Sequence, residues 1–357
     1  MNVLSLFDGL AGARIALDRL GLRVDNYFAS EVDRHAIKVA KHNWEDIQHI
    51  GDVTKVSYLN GYLSTEVGVF YVGKIDLLTG GSPCQDFSTA KAFGQHGVTP
   101  QGLEGTKSGL FYHFLRIKKE IESENPELIF LLENVKMKKE SKEQLDEYLG
   151  VKGVYINSDL VSFQKRARYY WSNLSFDAPE DRNISFQNYK EHGNLDQYKL
   201  NQTPSRVRMW GEGKGNNGVQ SCANVTYADK VYCLTTKQDR CPNSGLVEYE
   251  DFCRFLTRRE LEAAQTINAG YTDCLSYNQA CAVLGNGWTI ESICHILGNM
   301  VVTKTYEVSY VDYEGNNSST IVEVNLDEYE EDAKVKAILS DTSDGNGIYQ
   351  IIGVCEV

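Results

Sequence analysis

The sequence predicts an α/β protein: a doubly wound, mostly parallel sheet with a small inserted region and an appended α+β module near the C-terminal end. Two observations carry this. Apolar runs of strand length alternate with amphipathic runs of helix length through residues 1–172, and that period disappears near 175 and returns after 251.

Taken in order, NVLSLF is a strand followed by a helix over 11–20, DNYFAS by a helix over 33–43, KIDLLTGG by one over 108–123, and ELIFLLENV by one over 138–149. The strands read as near-continuous apolar runs, which is how buried parallel strands look. Two further runs with strand character follow, VYINSDLVSF and ARYYWSNL. Asn, Gly, Gln and Tyr dominate from about 175 to 251, so this stretch reads as a separate, loop-rich unit. Helical patterning resumes over 257–266, opened by a capping box in which Glu260 follows Thr257 by three, then over 276–284 and 289–300. Beyond 303 come two alternating strands, an acidic helix over 327–339 and a final strand. The expected organisation is 1–174 and 252–302 as two parts of one domain, 175–251 as an insertion, and 303–357 as the module.

The 357 residues hold material for a large core, and no run approaches the ~18 apolar residues of a membrane span. The first apolar run is broken by Ser5 and followed by Asp8, which suits a buried strand better than a signal peptide, so a cytoplasmic protein is expected. Nine cysteines, an odd number without a CxxC pair, read as reduced thiols rather than disulfides or a zinc site. The net charge of −13 argues at first against nucleic acid, but residues 301–357 hold twelve acids against three lysines. The first 300 residues are therefore nearly balanced and can present a local basic face. The acidic stretch reads as a solvated capping module or, alternatively, as a mimic of DNA phosphates.

Candidate chemistry gathers at strand ends. The first strand runs into Phe7, Asp8, Gly9 and Gly12, where a doubly wound sheet holds a nucleotide-like ligand. Glu31 ends the second strand, where a carboxylate can accept both ribose hydroxyls, and Asp52 follows the third, where one can take an adenine amino group. Tight turns with acids at strand ends are the alternative. The dinucleotide fingerprint GxGxxG is absent, which disfavours a nicotinamide-dependent oxidoreductase. Cys84, held by Pro83 after a central strand, directs a thiol to the ligand crevice unless it is a structural cysteine in a turn. Glu133 ends the next strand, and Arg166 and Arg168 share one face of another.

In this order, after FxGxxG and before LGNGW, the motifs PCQ, ENV and QxRxR resemble those of the DNA cytosine carbon-5 methyltransferases. LSLFDG, ASEVD, GGSPC and RARYYWSNL are closest in wording to the vertebrate de novo branch. The resemblance spans about residues 1–300. It implies a Rossmann-like methyltransferase fold, S-adenosylmethionine as cofactor with S-adenosylhomocysteine as product, no metal, and double-stranded DNA as partner. It implies catalytic roles for Cys84, Glu133, Arg166 and Arg168: the thiolate adds to carbon 6 of cytosine, Glu133 supplies a proton at N3, and the arginines hold O2 and orient Glu133. Phe7, Asp8, Gly9, Gly12, Glu31, Val32, Asp52, Val53, Asn286 and Trp288 would surround the cofactor, with Trp288 either a pocket wall or simple core.

A base inside a duplex cannot meet a crevice cysteine, so the cytosine must swing out of the stack. The glycine-rich stretch over 89–105 is then a lid over it or, alternatively, a surface loop. Ser88, Arg206, Arg208, Thr236, Lys237 and Arg240 are the expected DNA contacts, and Lys237 either reads guanine or touches only phosphate. Two rival readings remain. One is a tRNA methyltransferase of the same family, whose usual Cys-Phe-Thr string is missing here. The other is a catalytically silent DNA-binding regulator.

Overall fold

The computed structural model describes residues 1–82, 109–212, 224–238, 243–300, 303–312, 315, 317–325 and 348–356. In chain order the strands are β1 (Asn2–Leu6), β2 (Asn26–Ser30), β3 (Ile47–His49), β4 (Ser57–Leu59), β5 (Tyr62–Thr65), β6 (Gly68–Tyr71), β7 (Leu77–Gly81), β8 (Ile129–Val135), β9 (Val154–Asn157), β10 (Ala167–Ser172), β11 (Val247–Tyr249), β12 (Phe252–Arg254), β13 (Thr303–Asp312), β14 (Asn317–Asn325) and β15 (Ile348–Glu356). The helices are α1 (Gly12–Arg19), α2 (Arg34–Asn43), α3 (Gly109–Glu122), α4 (Lys139–Leu149), α5 (Pro204–Glu212), α6 (Arg258–Ala264), α7 (Tyr277–Asn286) and α8 (Ile290–Leu297). Contacts divide the chain into two units, 1–298 and 299–357. The described residues of the 175–251 stretch belong to the first unit.

The first unit is organised by a seven-stranded sheet of order β3-β2-β1-β7-β8-β10-β9. β1, β2, β3, β7 and β8 pair in parallel, whereas β10 runs antiparallel to both β8 and β9. Strand order reverses between β1 and β7, so ligands are expected beyond the carboxyl ends of these strands. Because β10 is reversed, its beginning rather than its end reaches that edge. Leu4, Leu6, Leu78, Phe130 and Leu132 sit in the core with Phe111, Phe114 and Ile117 of α3. The return helices complete the layers: α8 lies along α1, and α7 touches α2.

Local signals explain the helix ends. The Asp33 carboxylate accepts N–H bonds from His35 and Ala36 and starts α2. The Thr257–Glu260 and Ser276–Gln279 capping boxes start α6 and α7. An antiparallel sheet, β4-β5-β6, stands between β3 and β7 where the strand and helix alternation shows nothing. Its signal is Asn60-Gly61, both in left-handed conformation between β4 and β5 as a two-residue hairpin turn demands. Tyr58 and Leu63 anchor it to the core.

In the second unit β13 pairs antiparallel with β14 and β15 around Tyr306, Val308 and Val322. The acidic helix over 327–339 lies outside the described residues. No helix among the described residues is long and apolar enough to cross a membrane.

Candidate cofactor and base site

A cavity of about 350 Å³ opens at the carboxyl edge of the sheet. Its wall takes Phe7 and Gly9 from the loop after β1, Glu31 and Val32 from the end of β2, Asp52 and Val53 after β3, Gly81 and Ser82 from β7, Glu133 from β8, Arg166 and Arg168 from the start of β10, and Asn286 from α7. Two other clefts, of about 460 and 520 Å³, have charged walls already spent on pairs. Arg259 binds Asp273 at 2.7 Å in one, and Arg19 binds Glu291 at 2.5 Å in the other.

The first loop is bent to leave its backbone open. Phe7, Gly9 and Ala11 take φ values of 56°, 62° and 67°, the left-handed region that side chains other than glycine rarely enter. The Gly9 N–H donates to Glu31 Oε2 at 2.8 Å, while Val32 and Asp33 donate to Oε1 at 2.7 and 2.8 Å. Glu31 is thereby fixed as an acceptor at the cavity edge. Asp52 caps a short turn by accepting the Thr54 N–H at 2.9 Å.

Asp8 does not join this wall. It is buried in the sheet, where Tyr27 donates its hydroxyl to Oδ1 at 2.7 Å and Oδ2 has no partner. Burial pushes its carboxyl up to about 7. Gly12 packs against the Trp288 ring, and a Cβ there would stand 3.3 Å from it.

At the other end, the Glu133 carboxylate is buried and gripped from two sides. Arg168 Nε is 2.7 Å from Oε1, and the Trp288 indole N–H donates to Oε2 at 3.1 Å. Beside it, Asn134 donates to the Ser82 hydroxyl at 2.9 Å, tying the ends of β7 and β8 together. Arg166 behaves differently from Arg168. It is 3% exposed, and its guanidinium donates to the carbonyls of Leu234, Gly285 and Gly287 at 3.3, 3.3 and 2.8 Å. It clasps two distant segments, at 234 and at 285–287, to the start of β10.

Sequence reasoning missed Cys233, whose sulfur lies 3.4 Å from Arg166 Nη1. Burial pushes this thiol up, but the Arg166 and Arg168 charges beside it bring it below the ordinary cysteine range. No local signal marks it. Gln265 was also missed; with Gln164, the first residue of the QxRxR motif, it joins the Leu234 N–H to the carbonyls of Ala264, Leu284 and Gly287.

Of the expected DNA contacts, Arg206 and Arg208 lie on α5, and Thr236 and exposed Lys237 follow the clasped Leu234. Cys84, Ser88, Arg240 and the 89–105 stretch lie outside the described residues.

Residues 1–151 match the family described as C-5 cytosine-specific DNA methylase. The chain is 33% identical over 119 residues to the DNA (cytosine-5)-methyltransferase DRM1A of Oryza sativa subsp. japonica, a match covering 33% of this chain and 24% of that protein. It is 33% identical over 138 residues to the orphan methyltransferase M.SPRI of Bacillus phage SPR, covering 38% and 26% respectively. The matches thus span about a quarter of the length of these relatives. Among solved structures, the S. pombe Dnmt2 methyltransferase superposes with a TM-score of 0.59 at 15% identity, covering 84% of this chain and 97% of that one. The Entamoeba histolytica methyltransferase EhMeth gives 0.61 at 14% identity, with the same coverage. The fold is therefore the Rossmann-like one of these methyltransferases, and residues 1–151 are similar to the C-5 cytosine-specific DNA methylase family.

Proposed function

We propose that the chain methylates carbon 5 of cytosine in duplex DNA through a covalent Cys84 adduct on an extruded base. The observation that carries this reading is a single cavity walled at one end by Glu31 and Asp52 and at the other by Glu133 between Arg168 and Trp288. The first end suits a nucleoside cofactor, with carboxylate acceptors for ribose hydroxyls and an amino group, and Phe7 and Val53 as apolar walls. S-adenosylmethionine, when bound, supplies an electrophilic methyl group and departs as S-adenosylhomocysteine.

At the second end the chain activates the base. Cys84 stands two residues beyond Ser82, which walls the cavity. Its thiolate adds to carbon 6, while a proton shared with Glu133 reaches N3 and neutralises the ring. Arg168 orients Glu133 and offers donors to O2. After methylation, loss of the carbon-5 proton breaks the carbon–sulfur bond and restores the aromatic ring. Residues 175–251 serve as the target-recognition region, with Arg206 and Arg208 on phosphate and Lys237 on a base edge.

Bisulfite sequencing of DNA from cells expressing the protein tests this, alongside methyl transfer to duplex DNA and to tRNA in vitro. Methylcytosine at defined sites, lost in Cys84→Ser while S-adenosylmethionine still binds, is the expected result. Transfer to tRNA alone moves the substrate to RNA, and undiminished product from Cys84→Ser overturns the mechanism.

A further inference from the structure

We infer that Trp288 is a positioning residue for Glu133: its indole N–H fixes the carboxyl group that meets the base, and its ring ties that group to the start of α1. The inference rests on the proposed methyl transfer and adds to it a residue that the cofactor reading leaves as either wall or core.

A glutamate carboxyl at a strand end swings about its side-chain torsions unless something holds both oxygens. Here each oxygen is held from its own side, Oε1 by an ion pair with Arg168 Nε at 2.7 Å and Oε2 by the Trp288 indole N–H, and the two partners come from different parts of the chain. Arg168 begins β10, next to β8, whereas Trp288 lies 155 residues beyond Glu133, between α7 and α8. The directed hydrogen bond from the indole orients the carboxyl, and the ion pair holds it in place.

The indole is itself confined. A Cβ at Gly81 would lie 2.8 Å from Trp288 Nε1, and a Cβ at Gly12 would lie 3.3 Å from Cε3. Real Cβ atoms do not approach that closely at Gly81, so glycine there admits the ring edge carrying the N–H. Gly12 opens α1 just after the cofactor loop, and Gly81 pairs directly with Glu133 across β7 and β8. The ring therefore leans on the start of α1 and presents its donor to the acid. Misplacement of a catalytic group by about 1 Å can cost ~100-fold in rate, so this contact belongs to the turnover step more than to binding.

The experiment is a double-mutant cycle on single-turnover methylation of duplex DNA, using the full chain as wild type, Trp288→Phe, Glu133→Gln and both together. Phenylalanine keeps an aromatic ring between Gly12 and Gly81 but removes the donor. Trp288→Phe should lower the rate about 10- to 100-fold while S-adenosylmethionine and DNA affinities, read by calorimetry, change less than about 3-fold. In the Glu133→Gln background the same change should cost less than about 3-fold. Equal losses in both backgrounds, or an unchanged rate, overturn the inference. Full activity in Glu133→Gln instead removes the reading of the reaction on which the inference stands. If Trp288→Phe does not fold, Gly81→Ala applies the same test by crowding the N–H off Glu133, and wild-type turnover from that variant counts against the role.

Discussion

Gly285 lies flat against the peptide linking Thr235 and Thr236: a Cβ at 285 would stand 2.4 Å from the Thr235 carbonyl carbon and 2.6 Å from the Thr236 nitrogen. Both are backbone atoms, so neither can rotate away. Gly285→Ala should displace the 234–237 segment, lower stability by about 1–3 kcal/mol and reduce methylation at least tenfold. Denaturant unfolding and a methyl-transfer assay read the two effects, and a variant indistinguishable from wild type contradicts the contact.

The same segment ends at Lys237, exposed beyond the clasped Leu234. Lys237→Ala should change which DNA sequences are methylated more than it changes the salt dependence of binding. A uniform loss on all sequences with a shallower salt slope reassigns Lys237 to phosphate.

Glu260 opens α6 as the capping partner of Thr257 and also forms an ion pair with Arg254, the two side chains 0% and 1% exposed. Arg254 donates to both carboxylate oxygens at 2.7 and 2.8 Å, and Glu260 also receives the N–H of Glu191 at 2.9 Å. Glu260→Ala strands a buried guanidinium and should destabilise the chain by roughly 3–5 kcal/mol. Urea unfolding should show a loss that added salt does not erase, since buried pairs escape screening.

Burial holds the Asp8 carboxyl near 7 against an ordinary 3.8. The fold thus prefers the protonated acid, so this group's contribution is fully present below about pH 4 and is lost as pH rises towards 7. Asp8→Asn keeps an acceptor for the Tyr27 hydroxyl and removes the titration. Its stability relative to wild type should climb between pH 4 and 7, by at most about 4 kcal/mol. Thermal melts across that range decide it, and a constant difference refutes the assignment.

The α/β class, the parallel strands and the helices on either side were legible because apolar runs and caps are local. Glu31, Asp52, Glu133 and Arg168 were legible as cavity residues because a doubly wound sheet gathers its strand ends at one edge. Less local facts escaped. Asp8 sits in the right loop, yet its side chain turns to Tyr27, which nothing near it in sequence discloses. Arg166 reads like Arg168 two positions on, but its carbonyl partners lie 68 to 121 residues away. The β4-β5-β6 sheet had a local mark in Asn60-Gly61, too short to show in the alternation of apolar and amphipathic runs.

The Arg166 clasp closes only when Leu234, Gly285 and Gly287 are all in place. During synthesis, then, the strands that carry the acid and its arginine are made long before the pieces that lock them. A ribosome-bound fragment ending short of Gly287 leaves that guanidinium without its last anchors. The cavity wall therefore gains its last clasp late in translation, and a chain that ends early lacks it.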